Sequence, residues 1–67
     1  MTTVTVNGRE HELERGETVA RLLERLGLGG RFALVERNGE PVERRAYDDT
    51  ELVGGDTVLV ARPVAGG

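Results

Sequence analysis

The apolar spacing of an amphipathic helix is found in Thr18-Val19-Ala20-Arg21-Leu22-Leu23-Glu24-Arg25-Leu26-Gly27. Positions i, i+3, i+4 and i+7 of this segment lie on one side of a helix, and they hold Val19, Leu22, Leu23 and Leu26. We expect the Thr18 hydroxyl to cap the first turn and Gly27 to end the helix in the left-handed conformation. The apolar side must be buried, and the rest of the sequence predicts only strands and turns to pack against it.

Two Asn-Gly pairs predict β-hairpins on either side of this helix. A type I′ turn needs positive φ at both central residues, which Asn and Gly tolerate best. Asn7-Gly8 joins the alternating residues 3–6 to a returning strand over residues 9–13. Asn38-Gly39 joins the apolar run Phe32-Ala33-Leu34-Val35 to a short strand that begins at Pro41. Proline lacks an amide hydrogen, so the short strand that begins at Pro41 is expected at an edge of the sheet.

A final strand is predicted over Thr57-Val58-Leu59-Val60-Ala61, after a turn at Gly54-Gly55-Asp56. Residues 44–53 are polar and irregular, with a turn at Asp48-Asp49-Thr50. Right-handed crossover places the last strand beside the first, parallel to it and in the middle of the sheet. The order of elements therefore predicts an α+β fold of the β-grasp (ubiquitin-like) type, in which one helix packs on one face of a four- to five-stranded mixed sheet. The β-grasp domain would span residues 1–63, and residues 64–67 would form a flexible tail.

The amino-acid composition argues against several classes of function. The 67 residues contain no cysteine, so the chain offers no disulfide, thiolate metal site or nucleophilic thiol. The net charge is −3 with both signs interspersed, which argues against nucleic-acid binding. No apolar run is long enough to span a bilayer and no signal peptide is evident, so we expect a cytoplasmic protein without membrane association. All nine cationic residues are arginine, so the chain has no lysine to accept an isopeptide bond.

The sequence ends with Val64-Ala65-Gly66-Gly67. Two residues without Cβ can pass through a narrow channel and leave the final carboxylate open to reaction. The pattern predicts a domain that enzymes act on, although small residues also fill ordinary loose chain ends.

Four segments together resemble the small sulfur-carrier proteins of the thiamine and molybdopterin pathways, the ThiS/MoaD type, and the thiamine branch most. They are Val6-Asn7-Gly8, Glu17-Thr18-Val19-Ala20-Arg21-Leu22-Leu23, Val35-Glu36-Arg37-Asn38-Gly39-Glu40 with Val42 and Arg44 beyond it, and Gly55-Asp56-Thr57-Val58 leading to Val64-Ala65-Gly66-Gly67. This chain departs from the thiamine branch at Glu43, where proline is frequent, and near Tyr47, where tryptophan is frequent.

The resemblance implies a carrier that is itself no enzyme and binds no cofactor. A ubiquitin-activating-type adenylyltransferase would use ATP and Mg²⁺ to adenylate Gly67 after Val64, Ala65 and Gly66 thread into its channel. A cysteine desulfurase or another persulfide donor would then supply the sulfur that replaces AMP. The resulting C-terminal thiocarboxylate would donate sulfur to a thiazole synthase.

Three alternatives stay open from the sequence. Similar carriers serve molybdopterin, cysteine, thio-nucleoside or natural-product synthesis. A ubiquitin-like modifier would share the activation step but join Gly67 to lysines of other proteins. A plain β-grasp interaction domain would carry the Gly-Gly incidentally.

Strand alternation predicts a partner surface close to the tail. If Ala33 and Val35 face the helix, neighbouring apolar residues face solvent on the open side of the sheet. The expected surface consists of Phe32, Leu34, Leu59, Ala61 and Arg62. Scattered surface residues, or a segment 44–53 folded over them, would explain the same pattern. We expect His11 to be solvated, Asp48 and Asp49 to serve a turn rather than a metal, and Arg44 and Arg45 to lie at a solvated edge.

Overall fold

The computed structural model describes residues 2–29 and 32–62. The elements within them are β1 (Thr3–Val6), β2 (Arg9–Glu12), α1 (Val19–Leu26), β3 (Leu34–Arg37), β4 (Glu40–Val42), a 3₁₀ helix (Arg44–Ala46) and β5 (Thr57–Ala61). The strands form one five-stranded sheet in the order β2-β1-β5-β3-β4. The central strand β5 runs parallel to β1 and antiparallel to β3. This architecture confirms the predicted β-grasp.

Both Asn-Gly pairs form the predicted tight turns. Asn7 and Gly8 have φ of 50° and 82°, and Asn38 and Gly39 have φ of 53° and 83°. Positive φ at both central positions gives the turn the twist that antiparallel strands need. Pro41 lies in β4 at one edge of the sheet, as the missing amide hydrogen predicts.

The helix also begins and ends as predicted. The Thr18 hydroxyl accepts a hydrogen bond from the Arg21 amide at 3.2 Å, and Gly27 closes α1 with φ of 70°. The buried apolar residues of α1, of the covered sheet face and of the irregular segment form one core, which consists of Val4, Val6, Val19, Leu22, Leu23, Val35, Leu52 and Val58. None of the described helices is long and apolar enough to cross a membrane.

The irregular segment packs against the start of α1. The carbonyls of Thr50 and Tyr47 accept hydrogen bonds from the Val19 and Ala20 amides, at 2.9 and 3.0 Å. Two of the amides that a helix leaves without internal partners are thereby paired. The Tyr47 hydroxyl donates to the Ala33 carbonyl at 2.9 Å, which fastens the segment to the start of β3. The segment therefore lies by the helix, and the alternative that it covers the exposed apolar residues is wrong.

Two sequence-based expectations need correction. The strand β3 begins at Leu34, so Phe32 lies in a turn before the strand and Ala33 precedes it as well. The apolar run begins before the strand, and Ala33 is buried there although it is not paired in the sheet. His11 is half-buried rather than solvated, since it pairs with Val4 on β1 and shares the side of the sheet that the helix covers.

Candidate functional site

The tail on which the functional hypothesis depends lies outside the described residues. Val64, Ala65, Gly66 and Gly67 belong to this undescribed part, and Arg62 is the last described residue before them. The site is therefore described at the end of β5, the strand from which the chain continues toward the tail. Arg62 is exposed there.

Apolar side chains are exposed on the open face of the sheet, next to the end of β5. Leu34 is 61% exposed and Leu59 is 49% exposed, and Ala61 is exposed as well. Ala61 pairs directly with Leu34 across the sheet. We call Leu34, Leu59 and Ala61 the apolar patch. Phe32 is 64% exposed but precedes β3, so it is not a strand residue of this patch.

The apolar patch lines a shallow groove of about 350 Å³ together with Asn7, Glu36 and Val60. Glu36 pairs with Leu59 across the sheet and is the one carboxylate among these residues. A larger depression of about 460 Å³ lies beside α1 and Tyr47. None of its lining residues belongs to β5, so we place the candidate site at the smaller groove.

Asn7 holds the last part of β5 through its side chain. The strand β1 pairs with Thr57 and Val58 and then turns away, so it provides no backbone partner for Val60. The Val60 amide donates to Asn7 Oδ1 at 2.8 Å, and Asn7 Nδ2 donates to the Val60 carbonyl at 3.2 Å. One carboxamide thus satisfies both backbone groups of Val60, 53 residues away in sequence. The Asn-Gly pair predicted the turn role of Asn7, whereas no local pattern in the sequence indicated this contact.

Asn38 makes an equivalent contact at the beginning of β5. The Thr57 amide donates to Asn38 Oδ1 at 2.9 Å, and Asn38 Nδ2 donates to Asp56 Oδ1 at 3.0 Å. Because β1 is parallel and β3 antiparallel to β5, the turns that follow them lie at opposite ends of the central strand. The two Asn-Gly turns therefore hold β5 from both ends.

Asp56 is a buried carboxylate that organises the turn before β5. It accepts hydrogen bonds from Arg37 Nε at 2.9 Å and from the Val53 amide at 2.9 Å, in addition to Asn38. Burial alone would raise the pKa of Asp56, but the Val53 amide, Asn38 and Arg37 together hold it below its ordinary value. Its carboxylate therefore has a structural role, and both of its oxygens accept hydrogen bonds.

Glu17 is the second buried carboxylate, and it joins a loop to the helix. Its two oxygens accept hydrogen bonds from Arg25 Nε and Nη2, both at 2.8 Å, and from the Glu14 amide at 3.0 Å. The bond to Arg25 lowers the pKa of Glu17 against the opposing effect of burial. Arg25 Nη2 also donates to the Glu12 carbonyl at 2.8 Å, which connects α1 to the end of β2. These contacts connect α1, β2 and the loop between them.

The remaining charged residues singled out in the sequence lie in solvent. Arg44 and Arg45 are exposed, and Arg45 pairs at 2.9 Å with Glu43, which is also largely exposed. Asp48 and Asp49 are exposed in the turn after the 3₁₀ helix. Within residues 2–29 and 32–62, no three His, Asp or Glu side chains are grouped so that they could hold a metal ion.

Comparisons with known proteins identify a matching family and a matching solved structure. The profile of the ThiS family matches residues 4–67, which includes the final glycine pair. A crystal structure of a thiamine biosynthesis protein (ThiS) from Geobacter metallireducens matches this fold with a TM-score of 0.78 and 35% sequence identity. The match covers 97% of this chain and 99% of that chain. A comparison with curated proteins gave no significant match.

Proposed function

The chain belongs to the ThiS family, and from this membership we propose that it is a sulfur carrier that serves thiamine biosynthesis. In this proposal the protein is a substrate of partner enzymes and no catalyst itself. The observation that carries it is a family match that runs through Gly66-Gly67, combined with a central strand that leads toward that tail. The Geobacter metallireducens protein, which is described as a thiamine biosynthesis protein, favours this pathway over the others.

The reaction we propose begins at the Gly67 carboxylate. A carboxylate is a poor electrophile because it is anionic and stabilised by resonance. One of its oxygens attacks the α-phosphorus of ATP in the active site of an adenylyltransferase that uses Mg²⁺, and pyrophosphate leaves. The mixed anhydride that results carries AMP as a good leaving group.

Sulfur enters in two further steps. The terminal sulfur of a persulfide, formed on a cysteine desulfurase or another donor, attacks the Gly67 carbonyl carbon and AMP leaves. A thiol then attacks the outer sulfur of the acyl disulfide, so that a disulfide is released and a C-terminal thiocarboxylate stays on the carrier. The thiol supplies the two electrons of this cleavage. The thiocarboxylate is anionic at neutral pH, and ionised sulfur is the nucleophilic form that a thiazole synthase would receive.

The apolar patch supports this proposal, because it offers the partner enzymes a surface on which to dock. The apolar patch borders the end of β5, so a partner that covers it would bring its active site close to the tail. Exposed apolar side chains that line one groove of a small protein are typical of interaction sites. Arg62 lies between this patch and the tail and offers an exposed cation to an acidic partner surface. Phe32 is an additional exposed apolar residue before β3.

Intact-mass analysis tests the proposed function. The protein is incubated with a ThiS-activating adenylyltransferase, ATP, Mg²⁺, a cysteine desulfurase, cysteine and a thiol reductant. We expect the mass to increase by one oxygen-to-sulfur exchange. Because the chain contains no cysteine, the added sulfur cannot be a persulfide on one of its own thiols.

A variant without Gly67 is the matched control. It should keep the urea midpoint of the full chain and should gain no sulfur. An unchanged mass of the full chain under conditions that load another ThiS protein would contradict the proposal. Covalent adducts of Gly67 on lysines of other proteins would favour a modifier instead.

A further inference from the structure

On its β1 side, the end of β5 contacts a side chain instead of a neighbouring strand. Strands flank Val58 on both sides, because it pairs with Val6 of β1 and with Arg37 of β3. Val60 still pairs with Val35 of β3, but on the other side its amide and carbonyl contact only the side chain of Asn7 among the described contacts. The direction of β5 at its exit therefore depends on one carboxamide as well as on β3.

This contact lies beside the apolar patch and shortly before the tail in sequence. Leu59 and Ala61, the residues on either side of Val60, belong to the apolar patch, and Asn7 lines the same groove. Gly67 follows seven residues after Val60. A shift of the strand at Val60 would move the docking surface and the origin of the tail together.

We propose that Asn7 is a positioning residue for activation of the tail: its carboxamide replaces the missing strand neighbour of Val60 and fixes the direction in which β5 leaves the sheet. This inference rests on the proposed function, because it concerns the reaction at Gly67. Asparagine suits both roles of the position. It tolerates the positive φ of the turn, and its carboxamide can donate and accept hydrogen bonds at the same time, as the backbone of a strand residue does.

The chain supplies a matched control in Asn38. It occupies the same place in the other Asn-Gly turn, has nearly the same φ and also makes two side-chain hydrogen bonds to the region of β5. Those bonds lie at the beginning of β5, at the opposite end of the strand from Ala61. Asn7→Gly and Asn38→Gly both keep the turn, since glycine accepts positive φ, and both remove a carboxamide.

The first measurement is amide hydrogen exchange, which does not depend on the proposed function. In Asn7→Gly we expect the Val60 amide to exchange about tenfold faster relative to Leu22, whose amide reports on the core helix. In Asn38→Gly the Thr57 amide should be the one affected. Unchanged exchange of Val60 in Asn7→Gly would show that Asn7 does not hold the strand, and would overturn the inference.

The second measurement is the adenylation rate, followed as ATP–pyrophosphate exchange with a ThiS-activating adenylyltransferase. We expect Asn7→Gly to lower kcat/KM for the carrier about tenfold at a temperature where both variants are folded, and Asn38→Gly to stay within about twofold of the native chain. Equal kcat/KM values for the two variants would overturn the positioning role while leaving the proposed function intact. If the native chain itself is not adenylated, the proposed function fails, and the positioning role fails with it.

Discussion

The buried pair of Glu17 and Arg25 should contribute far more to stability than the exposed pair of Glu43 and Arg45. Both pairs join Arg Nε to Glu Oε2, at 2.8 and 2.9 Å. The Glu17 side chain is only 1% exposed, whereas the Glu43 and Arg45 side chains are largely in solvent. Exposed pairs of this kind contribute little because water and salt screen them.

The expected cost of Glu17→Ala follows from its three hydrogen bonds. The substitution leaves the Glu14 amide and two Arg25 donors without this acceptor. Loss of one partner of a buried ion pair costs about 3–5 kcal/mol when the other charge is left fully buried. Arg25 is 32% exposed and keeps its bond to the Glu12 carbonyl, so we expect the lower end, about 3 kcal/mol.

Urea denaturation measures this difference. For a protein of this size the slope of stability against urea is about 1 kcal/mol per M, so the midpoint of Glu17→Ala should fall by about 3 M. Glu43→Ala should leave the midpoint unchanged within error. In a double variant with Arg25→Ala, the loss should be smaller than the sum of the single losses, because the two residues act as one unit. Equal midpoints for Glu17→Ala and Glu43→Ala would refute the reasoning.

Acid should destabilise the protein through its two buried carboxylates. The pKa values of Glu17 and Asp56 are held below their ordinary values of 4.5 and 3.8, so their contribution is complete above those values and is lost as pH falls through the lower folded-state values. The free energy of unfolding, from urea titrations at each pH, should be level down to about pH 5 and fall below it; a protein equally stable at about pH 3 would contradict this prediction. Leu34→Gln should keep the urea midpoint but lower kcat/KM of adenylation about tenfold, because it removes apolar contact only on the open face. Val53→Gln, at a residue that is 55% exposed outside the apolar patch, is its control, and equal kcat/KM values would speak against the patch as a docking surface. Tyr47→Phe should lower the stability by about 1 kcal/mol, because the Ala33 carbonyl loses its side-chain donor; an unshifted urea midpoint would count against a role for this bond.

Local signals in the sequence account for most of the fold. Asn7-Gly8 and Asn38-Gly39 need no distant partner to form their turns, since positive φ at both positions already favours a hairpin. The capped segment from Thr18 to Gly27 likewise carries its own start, period and end. The place of β5 beside β1, parallel to it and in the middle of the sheet, followed from the rule on crossover handedness.

Such local signals could not predict contacts between residues that are far apart in sequence. The spacing of the sequence does not reveal that Glu17 meets Arg25 or that Asp56 meets Arg37, because an isolated acidic residue is most often solvated. The second role of Asn7 was hidden for a similar reason, as its partner Val60 is 53 residues away. The exposure of Leu34 and Leu59 was correctly predicted from strand alternation, whereas their role in docking stays a prediction.

Tandem mass spectrometry of the C-terminal fragment is the most direct test of the central claim. After reaction with the activating enzyme, ATP, Mg²⁺ and the persulfide source, the fragment that contains Gly66-Gly67 is isolated and sequenced. We expect the added sulfur to lie on the carboxyl group of Gly67 and on no other residue. A fragment whose final carboxyl group retains both oxygens, from a chain that the partner enzyme otherwise binds, would contradict it.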